Sequence, residues 1–228
     1  MTAEPVEAAN AWFTERFDAI VANIERVIQG KHDEMSLVVQ TLFAGGHALV
    51  EDVPGVGKTL LAKSLSRSID CSFHRIQFTP DLLPSDLTGV SVWDRERGKF
   101  VFRRGPLFSN IVLGDEINRA SPKTQAALLE AMEERQVTVD GTTRPLPPPF
   151  MVVATQNPLE HEGTYPLPEA QLDRFMFEID IDYLPEEDEL AVVLATSSIP
   201  DHNLEAVVCG ADILAVQRLV RTVPVSVP

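Results

Sequence analysis

The stretch Glu51-Asp52-Val53-Pro54-Gly55-Val56-Gly57-Lys58-Thr59 constrains this chain more than any other. It lies between an apolar run, His47-Ala48-Leu49-Val50, and a helical run, Leu60-Leu61-Ala62-Lys63-Ser64-Leu65. That order predicts a strand, a tight loop and a helix. The loop closes on Gly-Lys-Thr, the end of a phosphate-cradling P-loop. Gly55 and Gly57 lack Cβ, so backbone N–H groups can turn inward and approach phosphate oxygens closely. The helix that opens there aims its positive dipole end and its free N–H groups at the same anion. Lys58 adds a point charge for β- and γ-phosphates, and the Thr59 hydroxyl can ligate Mg²⁺. The residues expected to hold a nucleotide are therefore Gly55, Val56, Gly57, Lys58, Thr59 and Leu60.

One residue departs from the pattern G-x-x-x-x-G-K-[ST]: its first glycine is Asp52 here. Asp tolerates left-handed backbone better than most residues, so the turn can survive. A carboxylate is unwelcome beside phosphate, so Asp52 is expected to point away.

The chain has 228 residues, enough for one α/β domain and part of a second. Its 44% hydrophobic and 23% charged residues place it among ordinary globular chains. No apolar run is long enough to span a bilayer, so membrane insertion is not expected. Met1-Thr2-Ala3-Glu4-Pro5 lacks the basic and apolar parts of a signal peptide, which predicts a cytoplasmic protein. The net charge of −15 argues against a duplex-binding surface. Arg95, Arg97, Lys99, Arg103 and Arg104 crowd into ten residues and could form a local basic patch, although a solvated hairpin of mixed charge is the favoured reading. Cys71 and Cys209 show no metal or redox spacing and are expected in the core.

Hydrophobic periodicity predicts helices over 13–28 and 33–44, with Gly30 and Gly45-Gly46 as stops. Strands are expected over 73–78, 110–113, 150–155 and 175–181, with a short helix before the last. In the strand over 73–78, Arg75 needs solvent or a partner. Residues 79–89 read as loop, with Pro80, Pro84 and Gly89. Residues 90–102 and 137–144 read as β-hairpins; the second turns on Asp140-Gly141. A helix over 120–134 has Ser121 as its cap and Pro122 at its first position. Further helices are predicted over 185–195 and 211–220. Alternating strands and helices indicate an α/β fold with a parallel sheet and two inserted hairpins.

Further motifs supply the chemistry that a nucleotide hydrolase needs. Ile111-Val112-Leu113-Gly114 ends in Asp115-Glu116, and two carboxylates at the end of a buried strand are costly unless they work. Asp115 is assigned to the Mg²⁺ shell and Glu116 to orienting and polarising the attacking water. Asn157, just beyond a buried strand, can bond both that water and the γ-phosphate, although a turn-forming Asn before Pro158 would look the same. Arg174 could pair with Asp173, or reach a neighbouring subunit's γ-phosphate.

With these motifs together, the chain resembles the AAA+ ATPases, and specifically the MoxR family. The resemblance rests on 46–59, on Gly114-Asp115-Glu116-Ile117-Asn118-Arg119-Ala120, on Ala154-Thr155-Gln156-Asn157-Pro158 and on 162–175. It implies a P-loop NTPase core with ATP and Mg²⁺ as cofactors. Asp115 and Glu116 would be Walker B, Asn157 sensor 1 and Arg174 the arginine finger. Val27 and Ile28 would pack on adenine. The two hairpins would be the helix-2 insert and the pre-sensor-1 hairpin. The resemblance also implies a core over 1–184 and the start of an incomplete helical lid over 185–228, without a recognisable sensor 2 around Arg218 and Arg221. Family members typically form hexameric rings and remodel or activate partner complexes, often ones with von Willebrand A-type domains. Helicases of the same branch share both hairpins, so a nucleic-acid motor is the alternative. So is a nucleotide-gated binding module with little turnover. A P-loop kinase would need an acceptor pocket and base, and neither is legible.

Overall fold

The computed structural model describes residues 3–52, 58–156, 163–181 and 204–223. Helices α1 (Ala3–Glu25) and α2 (His32–Ala44) precede strand β1 (Ala48–Asp52), helix α3 (Lys58–Ser68) and strand β2 (Phe73–Gln77). A short helix α4 (Pro84–Thr88) leads into the hairpin β3 (Gly89–Asp94) and β4 (Lys99–Arg104). Strand β5 (Ile111–Asp115) and a 3₁₀ turn (Ile117–Arg119) lead to helix α5 (Pro122–Glu134) and the hairpin β6 (Gln136–Val139) and β7 (Thr142–Pro145). Strand β8 (Met151–Gln156), helix α6 (Glu169–Leu172), strand β9 (Phe177–Ile181) and helix α7 (Gly210–Val220) complete the described elements.

Five strands form one sheet in the order β2-β5-β8-β1-β9, and every pairing in it is parallel. The side-chain period of two sorts the strands between two cores. Ala48, Val50, Ile111, Leu113, Met151 and Val153 face helices α1, α2 and α3. Leu49, Val112, Val152 and Ala154 face α5 and the residues around Leu87 and Leu107. On the first side, Phe13 and Phe17 meet Phe43 edge-to-face at 5.2 and 5.9 Å between ring centroids. Helix α7 joins that same core through Ile213 and Val216, and its Gln217 Nε2 donates to the Leu42 carbonyl at 2.7 Å.

A buried histidine ties sheet to helix. His47 accepts the Val152 N–H at Nδ1 (2.9 Å), and its Nε2 donates to the Met132 carbonyl at 3.1 Å. Burial first, and the Arg135 charge second, push its imidazole down to about 4, so it stays neutral.

Several expectations are adjusted. The first helix stops at Glu25; the N–H groups of Val27 and Ile28 still reach the Ile24 carbonyl, at 2.9 and 3.0 Å, as a closing turn. Residues 84–88 are helical rather than loop, because Pro84 suits the first position and the Asp86 carboxylate accepts the Leu83 N–H at 2.9 Å. Cys209 is exposed rather than buried in the core. It caps α7, where its N–H donates to Asp212 Oδ2 at 3.3 Å. The helix expected over 185–195, and with it the 184/185 boundary, lies outside the described residues. The helix over 122–134 has its cap at Ser121 as predicted, and Asp140 and Gly141 both take positive φ at the second hairpin turn. Among the described residues no helix is long and apolar enough to cross a membrane.

Candidate active site

In a parallel sheet, ligands gather beyond the carboxyl ends of the strands, where the strand order reverses. Here β1 is the reversal point. The chain leaves it for α3 and builds β2, β5 and β8 to one side, then returns to place β9 on the other. Register carries Glu51 of β1 beside Gln156 of β8, and Gln77 of β2 beside Asp115 of β5. The expected acids and the first turn of α3, with Lys58, Thr59 and Leu60, therefore share one edge of the sheet. Those three residues are half-buried.

Asp115 ends β5, a strand buried along its whole length, and is itself only 7% exposed. A carboxylate so placed needs partners. Oδ1 accepts the Thr155 hydroxyl at 2.8 Å, and Oδ2 accepts Arg75 Nε and Nη2 at 3.1 and 2.5 Å. The partner that Arg75 requires on β2 is thus the candidate metal ligand.

Glu116 sits in left-handed backbone, φ 56° and ψ 53°. Such a conformation costs a non-glycine residue about 1–2 kcal/mol and persists only where the surroundings enforce it. They do so here. Its N–H donates to Thr155 Oγ1 at 2.9 Å, and its carbonyl accepts the Arg119 N–H at 2.9 Å. Its Oε2 accepts Gln77 Nε2 at 2.7 Å and Arg119 Nη1 at 3.0 Å. Gln125, buried in α5, braces the same turn by donating to the carbonyls of Ile117 and Tyr165 at 3.0 and 2.8 Å. The result is two adjacent acids aimed differently from one strand end, one inward and one toward solvent. An inward acid can anchor a cation, and an outward acid can work on water.

The donor set suits Mg²⁺, a hard cation that takes few protein oxygens and fills the rest of its shell from water and phosphate. Asp115 and Thr59 offer hard oxygens of that kind. Among the described residues no cluster of three or more His, Cys, Asp or Glu could hold a metal ion.

Arg174 follows α6 and folds back onto its own α5. Its Nη1 forms an ion pair with Glu133 Oε2 and donates to the Leu129 carbonyl at 3.3 Å. The bland alternative, a pair with Asp173, is not what forms; Glu133 takes that place. Val27 and Ile28 are half-buried after α1, with Ile28 against the core. Gly55, Val56, Gly57 and Asn157 lie outside the described residues.

Sequence reasoning did not assign roles to Thr155, Gln77 or Arg119. Thr155 had a signal: it lies in the quoted Ala154-Thr155-Gln156-Asn157 run, inside an otherwise apolar strand. Arg75 and Gln77 also had one, as polar residues two apart on a strand neighbouring the acids.

Comparison with known proteins agrees with this geometry. The model of the ATPase family associated with various cellular activities (AAA) matches residues 47–177. The Chaperone MoxR1 of Mycobacterium tuberculosis is 43% identical over 199 residues, which cover 87% of this chain and 52% of that protein. The chain belongs to the MoxR family of AAA+ ATPases. The uncharacterized protein YeaC of Bacillus subtilis is 56% identical over 204 residues, 89% of this chain and 64% of that protein. The crystal structure of a candidate ATPase from Cytophaga hutchinsonii superposes with a TM-score of 0.86 at 42% identity, covering 97% of this chain and 68% of that one. This MoxR-type chain thus spans about half to two thirds of the length of the curated relatives it matches. The five-stranded parallel sheet with its two hairpins is the P-loop AAA+ fold.

Proposed function

We propose that this MoxR-family chain binds and hydrolyses Mg-ATP and uses the cycle to remodel or activate partner protein complexes. The observation that carries the reading is the Asp115–Glu116 pair at the end of β5, both acids fixed by one hydroxyl, Thr155, at the sheet edge where α3 begins. Gly55, Val56, Gly57, Lys58, Thr59 and Leu60 cradle the phosphates, and Val27 and Ile28 flank the adenine. Thr59 and Asp115 hold Mg²⁺, which when bound neutralises phosphate charge. Glu116 takes the proton of the attacking water as its oxygen approaches the γ-phosphorus; the bond to the β-phosphate bridging oxygen breaks, releasing ADP and phosphate. Asn157 orients that water. Arg174 stabilises the transferring group in the next subunit.

Turnover in trans requires a homo-oligomer, and a ring of six is the assembly proposed. Residues 1–184 are assigned to the ATPase core and 185–228 to the helical lid, whose α7 packs beside α2 through Ile213, Val216 and Gln217. Clients would be cytoplasmic protein complexes, including ones with von Willebrand A-type domains. A net charge of −15 favours proteins over nucleic acid as partners.

The direct test of nucleotide binding is a titration with ATP. Lys58→Ala should abolish binding; unchanged affinity would count decisively against the phosphate cradle.

A further inference from the structure

The carboxylate proposed to meet Mg²⁺ already carries a cation. Arg75 stands on β2, the edge strand of the sheet, opposite Leu113 of β5. Its guanidinium engages Asp115 Oδ2 through Nε at 3.1 Å and Nη2 at 2.5 Å, while Oδ1 is taken by Thr155. The two partners are unequally placed. The Asp115 side chain is 10% exposed and that of Arg75 is 47% exposed. A half-exposed guanidinium can exchange a carboxylate for water at little cost, whereas a buried carboxylate cannot be left bare. Arg75 also has somewhere to go. Its Nη2 lies 2.9 Å from Gln77 Oε1, two residues along the same face of β2.

We infer that Arg75 is a displaceable counter-cation for Asp115, holding the carboxylate until a divalent metal arrives with nucleotide and then giving up Oδ2. The inference rests on the proposed reading of Asp115 as a metal ligand. With Oδ1 held by the Thr155 hydroxyl, the guanidinium and an incoming metal compete for the same oxygen, Oδ2. Metal entry and Arg75 release are therefore coupled. The site's apparent metal affinity is lowered by the fraction of molecules in which Arg75 occupies it. Arg75 is on this view a positioning residue that touches neither the nucleotide nor the attacking water.

The test reads metal binding without turnover. Mn²⁺ is titrated into the full chain with a non-hydrolysable ATP analogue, and the free-ion paramagnetic resonance signal is followed. Arg75→Gln should bind Mn²⁺ about two- to fivefold tighter than the parent, the size expected when a partly exposed ion pair is removed. Arg75→Lys keeps a cation and should stay nearer the parent. Arg75→Ala carries the same prediction as Arg75→Gln and serves if the glutamine variant does not fold. Parental or weaker Mn²⁺ affinity in the neutral variant overturns the inference. Asp115→Asn separates the two levels. If it leaves Mn²⁺ affinity unchanged, the metal assignment itself fails; if it weakens binding while the neutral Arg75 variants bind as the parent does, only the counter-cation role fails.

Discussion

The Thr155 hydroxyl donates to Asp115 Oδ1 at 2.8 Å across the β8–β5 pairing. Both residues are buried, so this bond is not exchanged with water. Thr155 Oγ1 also accepts the Glu116 N–H at 2.9 Å, and one side chain thereby fixes the inward acid and the strained backbone of the outward one.

Thr155→Val keeps shape and removes the hydroxyl. It leaves a buried carboxylate oxygen and a backbone N–H each short of a partner, at about 1–3 kcal/mol per group. Urea unfolding should show a loss of that order, and ATP turnover should fall with it. Thr155→Ser should restore both. Parental stability and turnover in Thr155→Val would mean that Asp115 and Glu116 are positioned by the strand alone.

His47 gives a pH signature unrelated to nucleotide. Its imidazole is held down to about 4 in the folded chain by burial and by Arg135, against 6.5 for the ordinary residue. A pKa lowered by folding means that the unfolded chain binds more protons between those values. The contribution is complete above pH 6.5 and is lost as pH falls toward 4, amounting to about 3 kcal/mol. Denaturant melts at pH 7 and pH 5 should show a larger loss for the parent than for His47→Gln. Equal losses would contradict the neutral buried histidine.

Arg174 is paired with Glu133 of its own chain, so a role in trans requires it to leave that pair. Both side chains are partly exposed, and Glu133→Gln should change stability by less than about 1 kcal/mol. Arg174→Ala should lose turnover, and mixing it with Glu116→Gln should restore some, because certain interfaces then join an intact Glu116 to an intact Arg174. Parental turnover in Arg174→Ala would leave Arg174 as a structural partner of Glu133.

The framework was legible because its signals are local. Buried strands over 110–113 and 150–155 read as short, mainly apolar runs, Ser121-Pro122 marks a helix start, and Asp140-Gly141 marks a hairpin. The acids were legible as well, since Asp115 and Glu116 break an apolar run together. What could not be read was the wiring between strands distant in sequence. Arg75 and Asp115 are 40 residues apart, as are Asp115 and Thr155, and only strand order and register bring them together. The helix at 84–88 was obscured because proline at a first position looks the same as proline in a loop.

Phosphate release from Mg-ATP by Glu116→Gln, measured beside its ATP affinity, tests the central claim most directly. The substitution keeps the shape and the hydrogen-bonding reach of the side chain but removes the charge that polarises water. The account predicts near-parental binding and turnover lowered about 10²–10⁴-fold, the range for loss of a general base. Parental phosphate release by this variant would contradict it.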